Sequence, residues 1–545
     1  MTAAGGPFSV YMIGGCGAFG RNCAVLEQDG DAVMVDCGSQ FPSEASFDVS
    51  CMIPHPEHLW DHVPRPLAYV LTHGHEDHIG ALHHLLAVAP APVYGTPFTL
   101  GLIADRYETL PPRVRKACPR IELVPGGRVV LSETIAFTPL SVAHSIPQSV
   151  ALLFEFPAGP VLHTGDFKLA GDAAWRLDPP RLAELAGAPL FLMLADSTGA
   201  CTAEATAEEA HLAGRIDELI AEAPGRVFVT VFSSHIERIR SFLQVGQRHK
   251  RSGAALGRSM ERYTACARGL ELLPEWNLTT LDEVMALPPG RQMFFISGSQ
   301  GETSSAMDRL SAGAHPRLKP GPGDTVIFSV STIPGRELPV SQMIDRFLAA
   351  GTTVRMHTAE LPTHVSGHGS AAELVRLFEA LQPQTVIPVH GSPRYLLAGR
   401  ALALAAGVPE SFLCMEGHRA VFADDSWQVE PLPIDEVLHL ENPQDTPICA
   451  ESLRQRRRMA ICGVAFVSCA LDRRGRPKAP LQITLSGIGR VKDHPALTEA
   501  CARAILSSAA EFGDDPPERG IELAVRRFFK SETGKKPQVV VHLNS

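Results

Sequence analysis

The chain has 545 residues, 45% of them hydrophobic and 20% charged, and a formal net charge of -10. That length allows two to four domains with full cores, and the composition excludes a disordered chain. The acidic balance excludes polyanion binding by a generally basic surface, while divalent cations and basic groups placed locally in a cleft still attract phosphate.

The twelve cysteines are scattered and contain no C-x-x-C pair, which argues against a disulfide framework or a thiolate zinc ribbon and fits a reducing cytoplasm. The stretch from Met1 to Gly6 has no basic segment leading into an apolar one, and no apolar run reaches membrane-spanning length. A cytoplasmic protein without a membrane partner is expected.

Residues 8 to 38 predict strands at Phe8 to Ile13, Cys23 to Leu26 and Ala32 to Val35, closed by Asp36-Cys37-Gly38. The glycine-rich turn from Gly14 to Asn22 suits a tight turn or a phosphate contact equally. After the short apolar run Leu67 to Val70 come His73, His75, Glu76, Asp77 and His78. His73 and His75 are two apart and can point to one side, while Asp77 and His78 face a second position on the turn. Imidazole and carboxylate without thiolate suit zinc or manganese with a coordination place open to water. A solvated histidine-rich loop is the plain alternative, and the spacing weighs against it.

Ala81 to Val88 predicts a helix on which His83 and His84 pack or meet solvent. His144 lies in a loop before the apolar run Val150 to Phe156, and the runs ending at Asp166 and Asp196 each close a strand with an acid. This alternation suits an α/β sandwich. From residue 201 to about 350, helix-like stretches (Glu204 to Glu222, Ser234 to Val245) alternate with buried strands (Arg226 to Phe232, Gln292 to Ile296, Thr325 to Val330), as in an inserted α/β domain. Its serine- and glycine-rich strand ends offer donors suited to phosphate, or are ordinary polar loops. Thr385 to Val389 is a further strand, ending in His390. The prolines at 431, 433, 443 and 447 mark a linker, and Arg454 to Arg458 is either a solvated face or an RNA contact.

The H-x-H-x-D-H run resembles the signature of the metallo-β-lactamase fold, and Thr72 to Leu82 resembles the form it takes in the ribonuclease J family. Val93-Tyr94-Gly95-Thr96-Pro97 is similar to that family as well. Phe232 to Arg238, Gly298 to Glu302 and Ser331 to Gly335 resemble the β-CASP insertion of nucleases acting on RNA or DNA, and Gly534 to Pro537 resembles the close of the ribonuclease J C-terminal domain. The resemblance implies an α/β fold. It comprises a metallo-β-lactamase αββα sandwich at 1–200 and 352–425, a β-CASP α/β domain at 201–351, a linker at 426–445 and a small C-terminal α/β domain at 446–545.

The resemblance also implies two divalent metal ions, zinc foremost with manganese or magnesium as alternatives. One would be held by His73, His75 and His144, the other by Asp77, His78 and His390, with Asp166 bridging and Asp36 nearby without ligating. Asp196 and His368 would carry the acid/base chemistry. Ser233, Ser234 and His235, with His364, Val365, Ser366, Gly367 and His368, would bind substrate as a nucleotide-phosphate clamp. The implied function is metal-dependent hydrolysis of RNA phosphodiesters, by 5'-to-3' exonuclease and endonuclease action, in rRNA processing and mRNA decay. The implied substrate is single-stranded RNA with a 5'-monophosphate, and the implied assembly is a homodimer or homotetramer with partners in RNA decay.

Three stretches depart from the family pattern: Ser392-Pro393 in place of Glu-Tyr, Gly199 in place of Asn, and Leu485-Ser486-Gly487-Ile488 in place of an Arg-Gly-Phe stretch. A DNA-processing β-CASP nuclease would use the same site. A noncatalytic RNA-binding paralogue would tolerate losing the ligands that are intact here, and a hydrolase of small thioesters or lactams would need no insertion of this size.

Overall fold

The apolar runs become strands because each is short and bounded by glycine or acidic turns, so its ends can leave the sheet. The computed structural model describes residues 5–42, 49–169, 187, 189–203, 209–273, 278–333, 335–358, 361–434, 437–441, 446–512 and 516–544. They fall into two compact units: Met1–Phe41 with Met52–Val437, and Pro42–Cys51 with Leu438–Ser545.

In the larger unit Phe8–Gly14 lies between Cys23–Gln28 and His418–Ala423 in an eight-stranded sheet that continues through Asp31–Val35, Tyr69–Val70, Val93–Gly95 and Arg120–Glu122. A second, seven-stranded sheet sets Thr385–Val389, Leu192–Asp196, Gly159–His163, Val150–Phe156 and Ala136–Ser141 side by side. Phe8, Val10, Leu26, Val35 and Val70 of the first sheet share one buried core with Phe137, Leu152, Phe154, Leu192 and Leu194 of the second. Each such side chain contributes about 1.5–3 kcal/mol on burial. Helices Leu82–Val88 and Pro97–Glu108 pack on the outer face of the first sheet, and Ala371–Leu381 and Pro393–Ala405 on that of the second. The result is the expected αββα sandwich.

The insert is a parallel sheet in the order Ser252–Leu256, Gln292–Ile296, Val227–Thr230, Thr325–Phe328 and Thr353–Arg355. Its three central strands, Gln292–Ile296, Val227–Thr230 and Thr325–Phe328, are buried along their whole length and mostly apolar because helices cover both faces. The helix expected from Glu204 is a 3-10 turn at Glu209–Leu212 followed by helix Ala213–Glu222, and 204–208 lie outside the described residues. The expected helix from Ser234 begins at Ile236 and runs to Arg248.

One expectation needs correction. The stretch 426–445, read as a linker, opens with strand Ser426–Pro431, paired antiparallel to His418–Ala423 in the first sheet. Asp424 and Asp425 both take positive φ (51° and 56°), as a two-residue hairpin turn requires, and the prolines beyond it masked the strand.

Arg238, fully buried, ties the insert together. It donates from Nε and Nη2 to the two oxygens of Glu209, each at 2.7 Å, and from Nη1 to Ser329 Oγ at 2.7 Å and Thr363 O at 2.5 Å. Removing one partner of such a pair strands the other charge, so Glu209→Gln is expected to lower unfolding free energy by about 3–5 kcal/mol in denaturant titrations. Burial alone would raise the pKa of Glu209, but His235 and Arg238 hold it well below the usual carboxylate range. Its stabilisation is therefore present above the unfolded value near ~4.3 and lost as pH falls below it, and the Gln variant should lack that acid-dependent loss.

The smaller unit has strand Val464–Leu471 between Pro477–Ser486 and Gln538–Asn544, with helices His494–Ser508 and Pro517–Thr533 packed on the sheet. Leu485 and Ile488, in the departing Leu-Ser-Gly-Ile stretch, are buried in this core. The basic run lies on helix Ala450–Cys462, which buries none of its residues; there Arg456 donates to Glu441 at 2.6 Å.

Candidate active site

Sandwich strands end where the polar motifs begin. Asp36 follows strand Asp31–Val35, Asp196 ends Leu192–Asp196, and His390 follows Thr385–Val389. Asp36 and His390 both have left-handed φ, 59° and 63°, which turns their side chains sharply off the strand ends. Such backbone costs about 1–3 kcal/mol and persists where the surroundings hold it. Gly38 permits a close approach: a Cβ there would lie 1.6 Å from the carbonyl oxygen of Asp77.

Two sets of donor atoms converge. His73, His75, His144 and Asp166 form one, Asp77, His78 and His390 another, the atoms within each lying within 4.8 Å of one another. His75 Nδ1 is 3.0 Å from His73 Nε2 and 3.2 Å from His144 Nε2. Asp166 Oδ2 lies 3.6 Å from both His73 Nε2 and His144 Nε2, and also 3.4 Å from His78 Nε2 and 3.5 Å from His390 Nε2. Donors at the corners of a tetrahedron around a cation about 2.0–2.2 Å away are separated by roughly these distances. One carboxylate oxygen therefore faces both sets.

Hydrogen bonds on the far side of each ring fix which nitrogen is left with a lone pair. His144 Nδ1 donates to Gly367 O at 2.7 Å, and His78 Nδ1 donates to Asp36 Oδ2 at 2.7 Å. His390 Nδ1 donates to Thr198 Oγ1 at 2.5 Å, whose own proton goes to His390 O at 3.1 Å. Thr72 Oγ1 gives its proton to Asp36 Oδ2 at 2.8 Å and so accepts from His73 Nδ1 at 3.0 Å. The Nε2 lone pairs of His73, His144, His78 and His390 all point inward, which is how a protein orders neutral imidazoles for a metal. His75 is the exception: its Nε2 meets Ser234 Oγ at 2.9 Å and its Nδ1 faces the site. The residues fit a pair of divalent ions.

The electrostatics divide the two sets: although burial lowers both, the Asp166 and Asp77 carboxylates raise His78 well above the usual imidazole range and take His390 to about 9, the mark of a place that attracts positive charge. Burial, with neighbouring imidazoles, pushes His73 well down, and burial brings His75 to about 4, so these rings are neutral. Asp166 is held well below the usual carboxylate range: burial opposes this, but His390, His78 and His73 outweigh it.

Asp36 accepts at once from Thr72 N (2.8 Å), Thr72 Oγ1 (2.8 Å) and His78 Nδ1 (2.7 Å) without facing the donor cluster. An Asn in its place cannot accept all of these. Asp36→Asn is expected to weaken metal binding about 10–100-fold in a chelator-competition titration, with the fold retained by circular dichroism.

Beside the cluster His368 Nδ1 donates to Asp196 Oδ2 at 2.8 Å, leaving its Nε2 4.0 Å from Asp166 Oδ2. Burial lowers the pKa of His368, and Asp196, followed by Asp166, more than reverses this. Ser366 is exposed; its Oγ accepts from His368 N at 3.0 Å. Gly367 packs under His144, and Val365 is buried in the core. Ser233 Oγ bonds to Ser259 Oγ at 3.1 Å. His364 is partly buried, and its Nδ1 has no hydrogen-bond partner among the described residues. His235 is 1% exposed, with its Nε2 2.9 Å from Glu209 Oε1.

Sequence reasoning missed several participants. Asn22 Nδ2 donates to Asp77 Oδ2 at 3.2 Å and lies 3.0 Å from His78 Nε2. Thr198 orients His390, and buried Lys168 donates to Ser366 O at 3.3 Å. Asn22 stood at the end of the glycine turn and Lys168 just beyond Asp166, but neither position announces its partner. Two departures have packing reasons. A Cβ at Gly199 would lie 2.0 Å from Gly369 O, and Pro393 occupies the first turn of helix Pro393–Ala405, where a missing N–H costs nothing.

Family models described as metallo-beta-lactamase superfamily, ribonuclease J beta-CASP domain, Zn-dependent metallo-hydrolase RNA specificity domain and ribonuclease J C-terminal domain match residues 16–197, 224–347, 353–409 and 451–544. A protein named ribonuclease J from Thermus thermophilus is 32% identical, the alignment covering 98% of this chain and 95% of the relative. One of the same name from Mycolicibacterium smegmatis is 36% identical over 74% of this chain and 72% of its own length. A solved Enterococcus faecalis protein of unknown function shares the fold, with a TM-score of 0.55 and 16% identity over 76% of this chain and all of its own length.

Proposed function

The chain belongs to the ribonuclease J family, a metallo-β-lactamase fold with a β-CASP insert and a C-terminal domain, and on that premise we propose how its residues divide the work. It is a metal-dependent ribonuclease that binds RNA and divalent metal ions. The finer reading assigns one ion to His73, His75 and His144, the other to Asp77, His78 and His390, with Asp166 shared. Zinc is the resident metal of choice, since the donor set is rich in imidazole nitrogen with carboxylate beside it. When bound, the ions supply positive charge for the phosphodiester and lower the pKa of attacking water.

The protein's own groups manage the rest. Asp196 holds His368 through Nδ1, so Nε2 carries the proton for the departing 3'-oxygen. Ser234, Ser366 and His364 offer donors to the phosphate of the nucleotide beyond the metals, with Lys168 as a buried positive charge behind Ser366. His235 and Val365 support this clamp from the core. The domain reading follows: 1–200 and 352–425 carry the metals, 201–351 covers them, and 446–545 is the C-terminal domain. No helix among the described residues is long and apolar enough to cross a membrane. A cytoplasmic homodimer or homotetramer working with RNA-decay partners completes the proposal.

The observation that carries this reading is the inward convergence of the imidazole lone pairs and Asp166 beside the Asp196–His368 pair. The test is cleavage of one labelled single strand, as RNA with a 5'-monophosphate, as RNA with a 5'-triphosphate, and as DNA. Mononucleotide release favouring the monophosphate is expected. Internal fragments indifferent to the 5' end would make the protein an endonuclease, and cleavage of DNA alone would contradict the RNA reading.

A further inference from the structure

We propose that the β-CASP insert holds the loop of the first metal position in register, with Arg262 and Tyr263 as positioning residues for His75. The inference rests on the metal assignment above. In His73-Gly74-His75-Glu76-Asp77-His78 the two spacers before Asp77 are Gly74 and Glu76. Adjacent residues of one helix of the insert, Arg258–Gly269, hold both.

Tyr263 OH donates to Gly74 O at 3.2 Å, and Arg262 Nη2 donates to Glu76 Oε1 at 2.5 Å. The other oxygen of Glu76 takes Arg106 Nη1 at 2.6 Å, from helix Pro97–Glu108 of the sandwich. One carboxylate is thus shared by guanidinium groups from the two domains. The Arg262 guanidinium also lies 5.3 Å from the centroid of the Tyr263 ring, which limits its freedom. The loop also packs closely on helix Pro97–Glu108, since a Cβ on Gly74 would lie 2.5 Å from Leu102 Cδ1. A third group of the insert, Ser234 Oγ, lies 2.9 Å from His75 Nε2 and so leaves Nδ1 for the site.

These contacts are one-sided. Ser234, Arg262 and Tyr263 all touch residues between 74 and 76. The second position is held from the sandwich instead: Asn22 bonds Asp77, Asp36 bonds His78 and Thr198 bonds His390. Displacing the insert therefore disturbs the His75 corner and leaves the Asp77–His78–His390 corner supported. By linkage, RNA that shifts the insert changes affinity at the first position by the same factor by which the ion there changes RNA affinity.

The test titrates zinc or cobalt into metal-free full-length protein against a chelating dye, with Arg262→Met, Tyr263→Phe and the double variant. The stepwise titration gives two affinities, and repeating it with His390→Ala, which removes a ligand of the second position, identifies the first. The double variant is expected to weaken one ion about 10–100-fold, the effect of removing groups that orient ligands, and to leave the other within about twofold. Tyr263→Phe removes only a hydroxyl and should weaken the same ion by less, keeping the test valid if Arg262→Met folds poorly. Arg262→Lys keeps the charge and should restore part of the affinity. Both ions unchanged, or both weakened equally, would overturn the proposal. Wild-type protein that binds no metal would overturn the metal assignment itself, and failure to cleave RNA would strike the proposed function while leaving this readout intact.

Discussion

Asp166→Asn is expected to abolish RNA cleavage, with a loss of roughly 10³-fold or more in kcat/KM. The change is nearly isosteric, so packing survives. What goes is the negative charge on the carboxylate whose one oxygen lies 3.4 to 3.6 Å from His73, His144, His78 and His390 at once. Paired metal ions contribute several kcal/mol of charge stabilisation in the transition state, and about 1.36 kcal/mol corresponds to each tenfold in rate. Metal content by elemental analysis should fall together with activity. An Asn variant that keeps its full metal complement and cleaves at the wild-type rate would remove Asp166 from the account.

The second large effect concerns the proton. His368→Ala should lower kcat by about 10²–10⁴-fold, the range for a lost general acid, while metal content stays at the wild-type level. The contrast with Asp166→Asn separates proton transfer from metal binding. Asp196→Asn leaves the ring in place but removes the carboxylate 2.8 Å away that raises the His368 pKa against its burial. Because a raised pKa keeps the acid protonated to higher pH, the alkaline limb of the rate profile should move to lower pH in Asp196→Asn. An unmoved limb would assign that limb to another group.

How much of this was legible in the chain depended on sequence distance. His73, His75, Asp77 and His78 lie within six residues, so their spacing alone suggested a metal site. His144, Asp166 and His390 each close or precede a strand as many structural residues do, and only their order after that motif singled them out. Asn22 and Thr198 act across 55 and 192 residues on Asp77 and His390, and nothing local marks such a bond. The Glu76–Arg262 contact spans 186 residues and was equally silent. His235 was named through the resemblance of Phe232 to Arg238 to the β-CASP insertion, and its burial beside Glu209, 26 residues earlier, had no local sign. The sandwich and insert followed from the alternation of apolar runs. Strand Ser426–Pro431 was hidden because proline at its end and beyond reads as a break, while its turn depends on positive φ at two aspartates.

The most direct test of the central claim is a titration of metal-free protein with zinc or manganese, following bound metal and cleavage of single-stranded RNA in the same samples, with Asp166→Asn alongside. The account predicts that cleavage appears as two equivalents bind, and that the variant binds less and cleaves nothing. Full cleavage by metal-free protein, or two bound equivalents with no cleavage of any RNA, would contradict it.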